Sequence, residues 1–443
     1  MSLLSRELSP ASRFSSTVGP SAILRGAVSF VLIPAILGAL IFYAIGTASD
    51  LAPQQIRLPG PETHDPYLDD FVVFRAAGEL ASDGAGRDIY SVSAIHEAEA
   101  DVLGVSAENT LVLPFFNPPP VALALAPLAA FSVPVAAVLW TAGGLAILAA
   151  SLTVLLWPAR ERLRLVPLAI AGLVLVTSMP FQQAVVHGQM TFMLFGAFTA
   201  LWFGTYAAER RGWAMVGWLT LAIKPQLLLL PLIDAIRCRR WGLLASVATA
   251  SAALVAVSAS VLGWRVLVDY PLLLLQATSW QEENGISTFG MFGWNAFARA
   301  LLGEGHQIPQ MVLSLTLTIG TLAGAALAAH RLGGTSTSRR FAVLVFAALL
   351  VSPHLYAHDV LLAGVAGVVL WANASSEFER LVWLAYGAMG WIVLHVHFDI
   401  LAQSSVNLGV LWLALGLVLA ALPTLRHLPR VRSAKPLGPG ALL

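Results

Sequence analysis

Residues 211–240, RGWAMVGWLTLAIKPQLLLLPLIDAIRCRR, begin and end on arginine and are apolar over most of the length between, with Lys224-Pro225 near the middle. Cytoplasmic loops of membrane proteins keep an excess of Lys and Arg. A single crossing here would therefore strand one basic end on the wrong side of a bilayer. Pro225 lacks a backbone donor and disfavours helical backbone at Lys224 before it. Two half-helices folded back at Lys224-Pro225 as a hairpin answer both facts; a kinked span is the other reading. The choice sets the parity of every later segment.

Composition supplies the membrane setting. The 443-residue chain is 58% hydrophobic and 11% charged, against about 25% charged for a soluble domain, so it is read as an all-α polytopic membrane protein. A formal net charge of +1 gives no clustered basic surface for nucleic acid. One cysteine, Cys238, excludes an intramolecular disulfide and paired-cysteine metal sites.

Apolar runs near 27–47, 134–157, 165–180, 189–207, 241–262, 311–329, 340–352, 359–372, 381–398 and 404–422 read as about ten crossings, each measured against about 30 Å of hydrocarbon. With the basic clusters inside, both termini are cytoplasmic, and the first apolar run is an uncleaved span. The division is a tail 1–26, a membrane domain 27–425 and a tail 426–443, with non-cytoplasmic loops 48–133 and 263–310. In the first loop, FVVFRAAGELASDG and SVSAIHEAEADVLG space apolar residues by three and four and end in Gly, the pattern of amphipathic helices lying on the outer leaflet. The short run 118–134 is bracketed by prolines and reads as a helix on or dipping into that face.

Ionisable residues kept near hydrocarbon need a reason. Those outside the basic loops collect at Asp65, Asp69 and Asp70, at VVHGQMTF (185–192), AIKPQ (222–226), FGWNAF (292–297) and SPHLYAHDVLL (352–362). All but the Lys-Pro break open on the non-cytoplasmic face. Each also has a plain reading: Asp69 and Asp70 cap a helix, Lys224 reaches for a headgroup, and His354 and His358 follow Pro353 ahead of a helix that starts near Asp359, without completing a metal site. HVHFD (395–399) likewise reads as a helix end.

The ordered set DDFVVFRAAGELASDGAGRDIY (69–90), FFNPPPVALALAPLAAF (115–131), AAVLW (136–140), HGQMTFML (187–194), GWLTLAIKPQLLLLPLIDAIRCRRW (217–241) and SPHLYAHDVLL resembles glycosyltransferase family 87. The resemblance runs from about residue 25 to about 425. It implies a GT-C membrane fold and inverting transfer of a sugar, mannose in the mycobacterial members, from a polyprenyl-phosphate donor on the outer face of a bacterial-type plasma membrane. The acceptor is a lipid or glycan, and no cofactor or metal is called for. It also implies a general base in the first outer loop at Asp70 or its neighbour Asp69. The departing phosphate needs donors and cations, for which Lys224, Gln226 and His358 are the candidates. His187, Gln189, Asn117, Trp294, Asn295, His354 and Tyr356 are candidates to line the substrate cleft. A secondary transporter, or a flippase of a lipid-linked sugar, is the rival reading, because a charge at a broken helix is also a carrier feature.

Overall fold

The computed structural model describes residues 69–109, 113–283, 290–303, 305–333, 336–397 and 406–422. The first apolar run 27–47, Asp65 and the tails 1–26 and 426–443 lie outside the described residues. Within them the chain is helical, apart from an isolated β-bridge between Met291 and Tyr356. The first group is α1 (Asp69–Ser82), α2 (Val92–Leu103) and α3 (Pro119–Leu125). Next come α4 (Val133–Leu156), α5 (Leu165–Val176), α6 (Met179–Val186) and α7 (Thr191–Trp202), the last running into a π turn, Phe203–Ala207. Then follow α8 (Arg211–Leu221), α9 (Leu229–Arg237), α10 (Trp241–Leu262), α11 (Val266–Glu283) and α12 (Trp294–Leu302). The chain closes with α13 (Gln307–Leu332), α14 (Thr337–Val351), α15 (Ala363–Ala372), α16 (Glu377–His395) and α17 (Leu408–Ala421).

Residues 211–240 form the hairpin. After α8 the chain passes Lys224-Pro225 into a 3-10 turn, Pro225–Leu228, and returns as α9. The two ends meet: Arg211 donates to the Gly242 carbonyl and the Ser246 hydroxyl. Arg240 Nη1 donates to the Thr205 carbonyl at 2.6 Å, with its guanidinium 5.3 Å from the Tyr206 ring. Lys224 lies at the far end of an 11-residue arm, roughly 16 Å away and about half the thickness of a hydrocarbon core.

Two contacts hold the arms. A Cβ on Gly217 would stand 2.6 Å from Leu201 N and 2.7 Å from Ala197 O, so α8 lies backbone against backbone on α7. Gly217→Val is expected to cost about 1–3 kcal/mol, read as a lowered Tm in detergent. On the returning arm Asp234 is buried and accepts from Arg340 Nε at 2.9 Å and from the Tyr206 hydroxyl at 2.8 Å. The π turn carries Tyr206 and α14 carries Arg340, so the base of α9 is tied to two neighbours.

Helix α14 is buried on every face from Arg339 to Leu350 and is the central shaft. By contrast α10 and α13 turn Val257, Val261, Ile308 and Ile319 outward. A buried shaft ringed by outward apolar side chains is the arrangement of a protein solvated by lipid.

Among the described residues, three helical stretches are long and apolar enough to cross a membrane by length and composition: Val133–Arg162, Trp241–Leu262 and Gln307–Leu332. A fourth is formed if Leu168–Val176 and Met179–Val186, bent by 55°, count as one. Ten crossings are thus not established. Thr191–Ala207, Ala357–Ala372 and Leu408–Ala421 are apolar but shorter.

Other expectations change in detail. The apolar run 165–180 breaks after Val176, because Pro180 suits the first turn of a new helix, not the interior of an old one. Helix α1 is not a surface helix: Phe71 through Gly78 are buried on all sides, enclosed by α2, α3 and the 3-10 turn Ala126–Ala130. Arg75 fastens it there, donating to Ala129 O at 3.2 Å and Phe131 O at 3.1 Å. Helix α2 keeps the expected glycine at its end, Gly104 in the left-handed region, and starts from an N-cap at Ser91. The described part of 263–310 holds α11 and α12.

Candidate active site

Four distant segments converge: the start of α1, the α6–α7 turn, the hairpin apex and the stretch after α14. Asp69 and Asp70 form the first turn of α1. Asp70 is half-buried, and its Oδ2 accepts from Gln189 Nε2.

The local sequence explains why Gln189 arrives there. Helix α6 ends with Gly188 at φ 63°, and the amides of Gly188 and Gln189 turn back to Val185 O at 3.2 Å and Ala184 O at 2.9 Å. This double closure with glycine in the left-handed position reverses the chain and leaves Gln189 half-buried beside Asp70. Trp140 braces it by donating to Gly188 O at 2.7 Å. The same indole packs on Phe71 and Phe74, with ring centroids 6.1 Å and 5.6 Å away. One tryptophan therefore sets α1 and the Gly188 turn against each other. A shallow groove lined by Trp140, Gly144 and Phe192 reaches Gln189.

At the hairpin apex Lys224 Nζ contacts both oxygens of Asp359, at 2.7 Å and 2.6 Å. The Asp359 side chain is fully buried, whereas that of Lys224 keeps 21% exposure. Asp359 lies in a 3-10 turn, Ala357–Leu362, and also accepts from the Tyr356 amide at 3.3 Å.

The segment 352–356 is pinned from behind. Phe292 N–H donates to Leu355 O at 2.6 Å, and a Cβ on Gly293 would stand 2.3 Å from Ser352 O. Asn407 Nδ2 ties Met291 O at 2.8 Å. With the backbone fixed, Tyr356 and His358 stack at 5.7 Å with a 17° interplanar angle. Burial pushes the Tyr356 phenol well above its ordinary value, and the Asp70 and Asp359 charges push the same way. Burial lowers the His354 imidazole, and the Arg299 and Lys224 charges lower it further, all in favour of the neutral ring. Of these charged groups, Asp359 and Lys224 are joined to the segment by direct hydrogen bonds.

The other sequence candidates are spread out. His187 caps α6 and pairs with Gln183 at 2.8 Å. Gln226 is half-buried in the turn after Lys224. The Asn117 carbonyl accepts from the Tyr90 hydroxyl at 2.8 Å, tying the 113–118 segment to the turn before α2. Trp294 is buried between α12 and α13, donating to Thr321 at 2.8 Å, with half-buried Asn295 next to it. Sequence reading passed over Asp359 as a partner and Arg299 altogether. An isolated lysine in apolar sequence calls for a counter-charge, and Asp359 was the available signal.

The chain matches the family model described as Glycosyltransferase family 87 over residues 115–353, more than half of its length. The matched span contains Gln189 and Lys224; Asp70 and the 354–359 segment flank it. No curated protein and no solved structure matches the chain.

Proposed function

The chain belongs to glycosyltransferase family 87, and from that premise we propose that it is an inverting glycosyltransferase moving mannose from a polyprenyl-phosphate donor to the hydroxyl of a lipid or glycan. A member of this family handles a sugar donor and an acceptor in association with a membrane. The finer reading is supported by one arrangement: the Asp70 and Asp359 charges both act on the Tyr356 phenol, and Asp359 in turn holds Lys224, which fits a base and a cation serving one sugar phosphate.

In this reading the acceptor oxygen attacks the anomeric carbon as its proton passes to the Asp70 carboxylate. The bond from that carbon to the donor phosphate oxygen breaks, and polyprenyl phosphate departs with the electron pair. Lys224 offsets the charge that grows on it, with Gln226, His354 and His358 as further donors. Gln189 fixes the Asp70 carboxylate. The hairpin geometry supports sidedness: its arginine ends gather on one side and Lys224 rises roughly half a hydrocarbon thickness, toward a non-cytoplasmic face of a plasma membrane. The short helices fit that picture, since α7 starts and α14 ends where polar segments of the site begin.

The test is transfer in detergent from radiolabelled polyprenyl-phosphate mannose, other polyprenyl-phosphate sugars and nucleotide sugars to a membrane lipid extract. Label moving only from the lipid-linked mannose is the expected result; use of nucleotide sugars alone sinks the donor assignment. A carrier of lipid-linked sugar needs two compartments and gives no transfer here. Gln189→Leu should slow transfer about tenfold, the worth of one hydrogen bond to a charged group, without lowering Tm.

A further inference from the structure

Asp359 has no step in the transfer, yet it is the best-held group in the site. It is fully buried, fixed by the 3-10 turn and the Tyr356 amide, and cannot follow a substrate. Lys224 sits at a helix break with part of its side chain exposed. An ammonium has three N–H donors, and Asp359 accepts from Lys224 through both of its oxygens. His358 Nε2 is buried, makes no hydrogen bond among the described residues, and stands 3.5 Å from Asp359 Oδ2, the oxygen Lys224 contacts at 2.6 Å.

We propose that Asp359 is a positioning residue that makes Lys224 a shared cation: it aims the ammonium at the donor phosphate and loosens its hold on the product phosphate. This rests on the reading that Lys224 faces the phosphate. The donor phosphodiester carries one negative charge, and the departing phosphate monoester gains a second. The pull on Lys224 is therefore strongest in the product state. A carboxylate that competes for the ammonium lets that product go, and His358 is placed to donate to Asp359 Oδ2 while Lys224 is drawn away. Without Asp359 the ammonium is unrestrained, and the product is held longer.

Full-length protein in detergent would be titrated with farnesyl monophosphate, with farnesol as the chargeless control, alongside steady-state transfer. Asp359→Asn should bind farnesyl monophosphate about tenfold tighter while kcat falls, with farnesol unchanged. Asp359→Glu keeps the charge and should stay near wild type in affinity. A purely structural role weakens both probes together. Farnesyl monophosphate bound by Asp359→Asn no better than by wild type overturns the proposal. Lys224→Gln binding it as well as wild type overturns instead the assignment of Lys224 to the phosphate. Should Asp359→Asn fail to accumulate, Lys224→Gln/Asp359→Asn carries the test: affinity should fall to that of Lys224→Gln, and tightening there overturns the proposal.

Discussion

Asp70→Asn is expected to slow sugar transfer by about 10²–10⁴-fold, the usual worth of a general base, with Tm and donor binding close to wild type. The amide keeps the size of the carboxylate, and its oxygen still accepts from Gln189. What it cannot do is take the acceptor proton. Folding should be indifferent, because α1 is held by the enclosed run from Phe71 to Ala77 and by the Arg75 contacts, not by its first turn. Single-turnover transfer with labelled donor is the measurement, since it separates the chemical step from product release. Transfer that survives in Asp70→Asn but is lost in Asp69→Asn moves the base one residue back. Full activity in both removes the base from this turn.

Much of this arrangement could be read from the chain. Lys224-Pro225 between two basic ends marked the hairpin, and the contacts of Arg211 and Arg240 at its base bear it out. Apolar runs such as 241–262 and 311–329 are helices close to those bounds. The polar clusters at 69–70, 187–189, 224 and 352–362 were recognisable as exceptions in an apolar chain, and they pair across the fold as Asp70 with Gln189 and Lys224 with Asp359.

What escaped reading was tertiary. The spacing of apolar residues in FVVFRAA fits a half-exposed helix as well as an enclosed one; only the 113–131 segment folding over α1 decides between them. Lys224 and Asp359 are 135 positions apart, and nothing local in either segment announces the other. Trp294 has the composition of an interfacial residue, yet its hydrogen bond to Thr321 commits it to helix packing. Crossing number suffers for a related reason. A helix enclosed by protein, such as the 15-residue α14, need not itself match the bilayer, so apolar length stops reporting on spans.

Two ion pairs tie the broken hairpin to α14 at both ends. Lys224 at the tip pairs with Asp359 just after α14, and Asp234 at the base pairs with Arg340 near the start of α14. Arg340→Met is accordingly expected to destabilise the protein by about 3 kcal/mol, the low end for breaking a buried pair. Asp234 would keep the Tyr206 hydroxyl, and Arg237, 3.6 Å away and 30% exposed, would take over part of the charge. Thermal unfolding in detergent measures the loss. Asp234→Leu/Arg340→Met, which leaves no buried charge at the latch, should recover most of it. If the double variant is no more stable than the single, the cost lies in packing around α14 and not in a stranded carboxylate. Transfer by the double variant below its Tm then separates the two ends of the hairpin: activity near wild type means that Asp359 alone keeps Lys224 in place, and a fall in kcat means that the apex depends on the base.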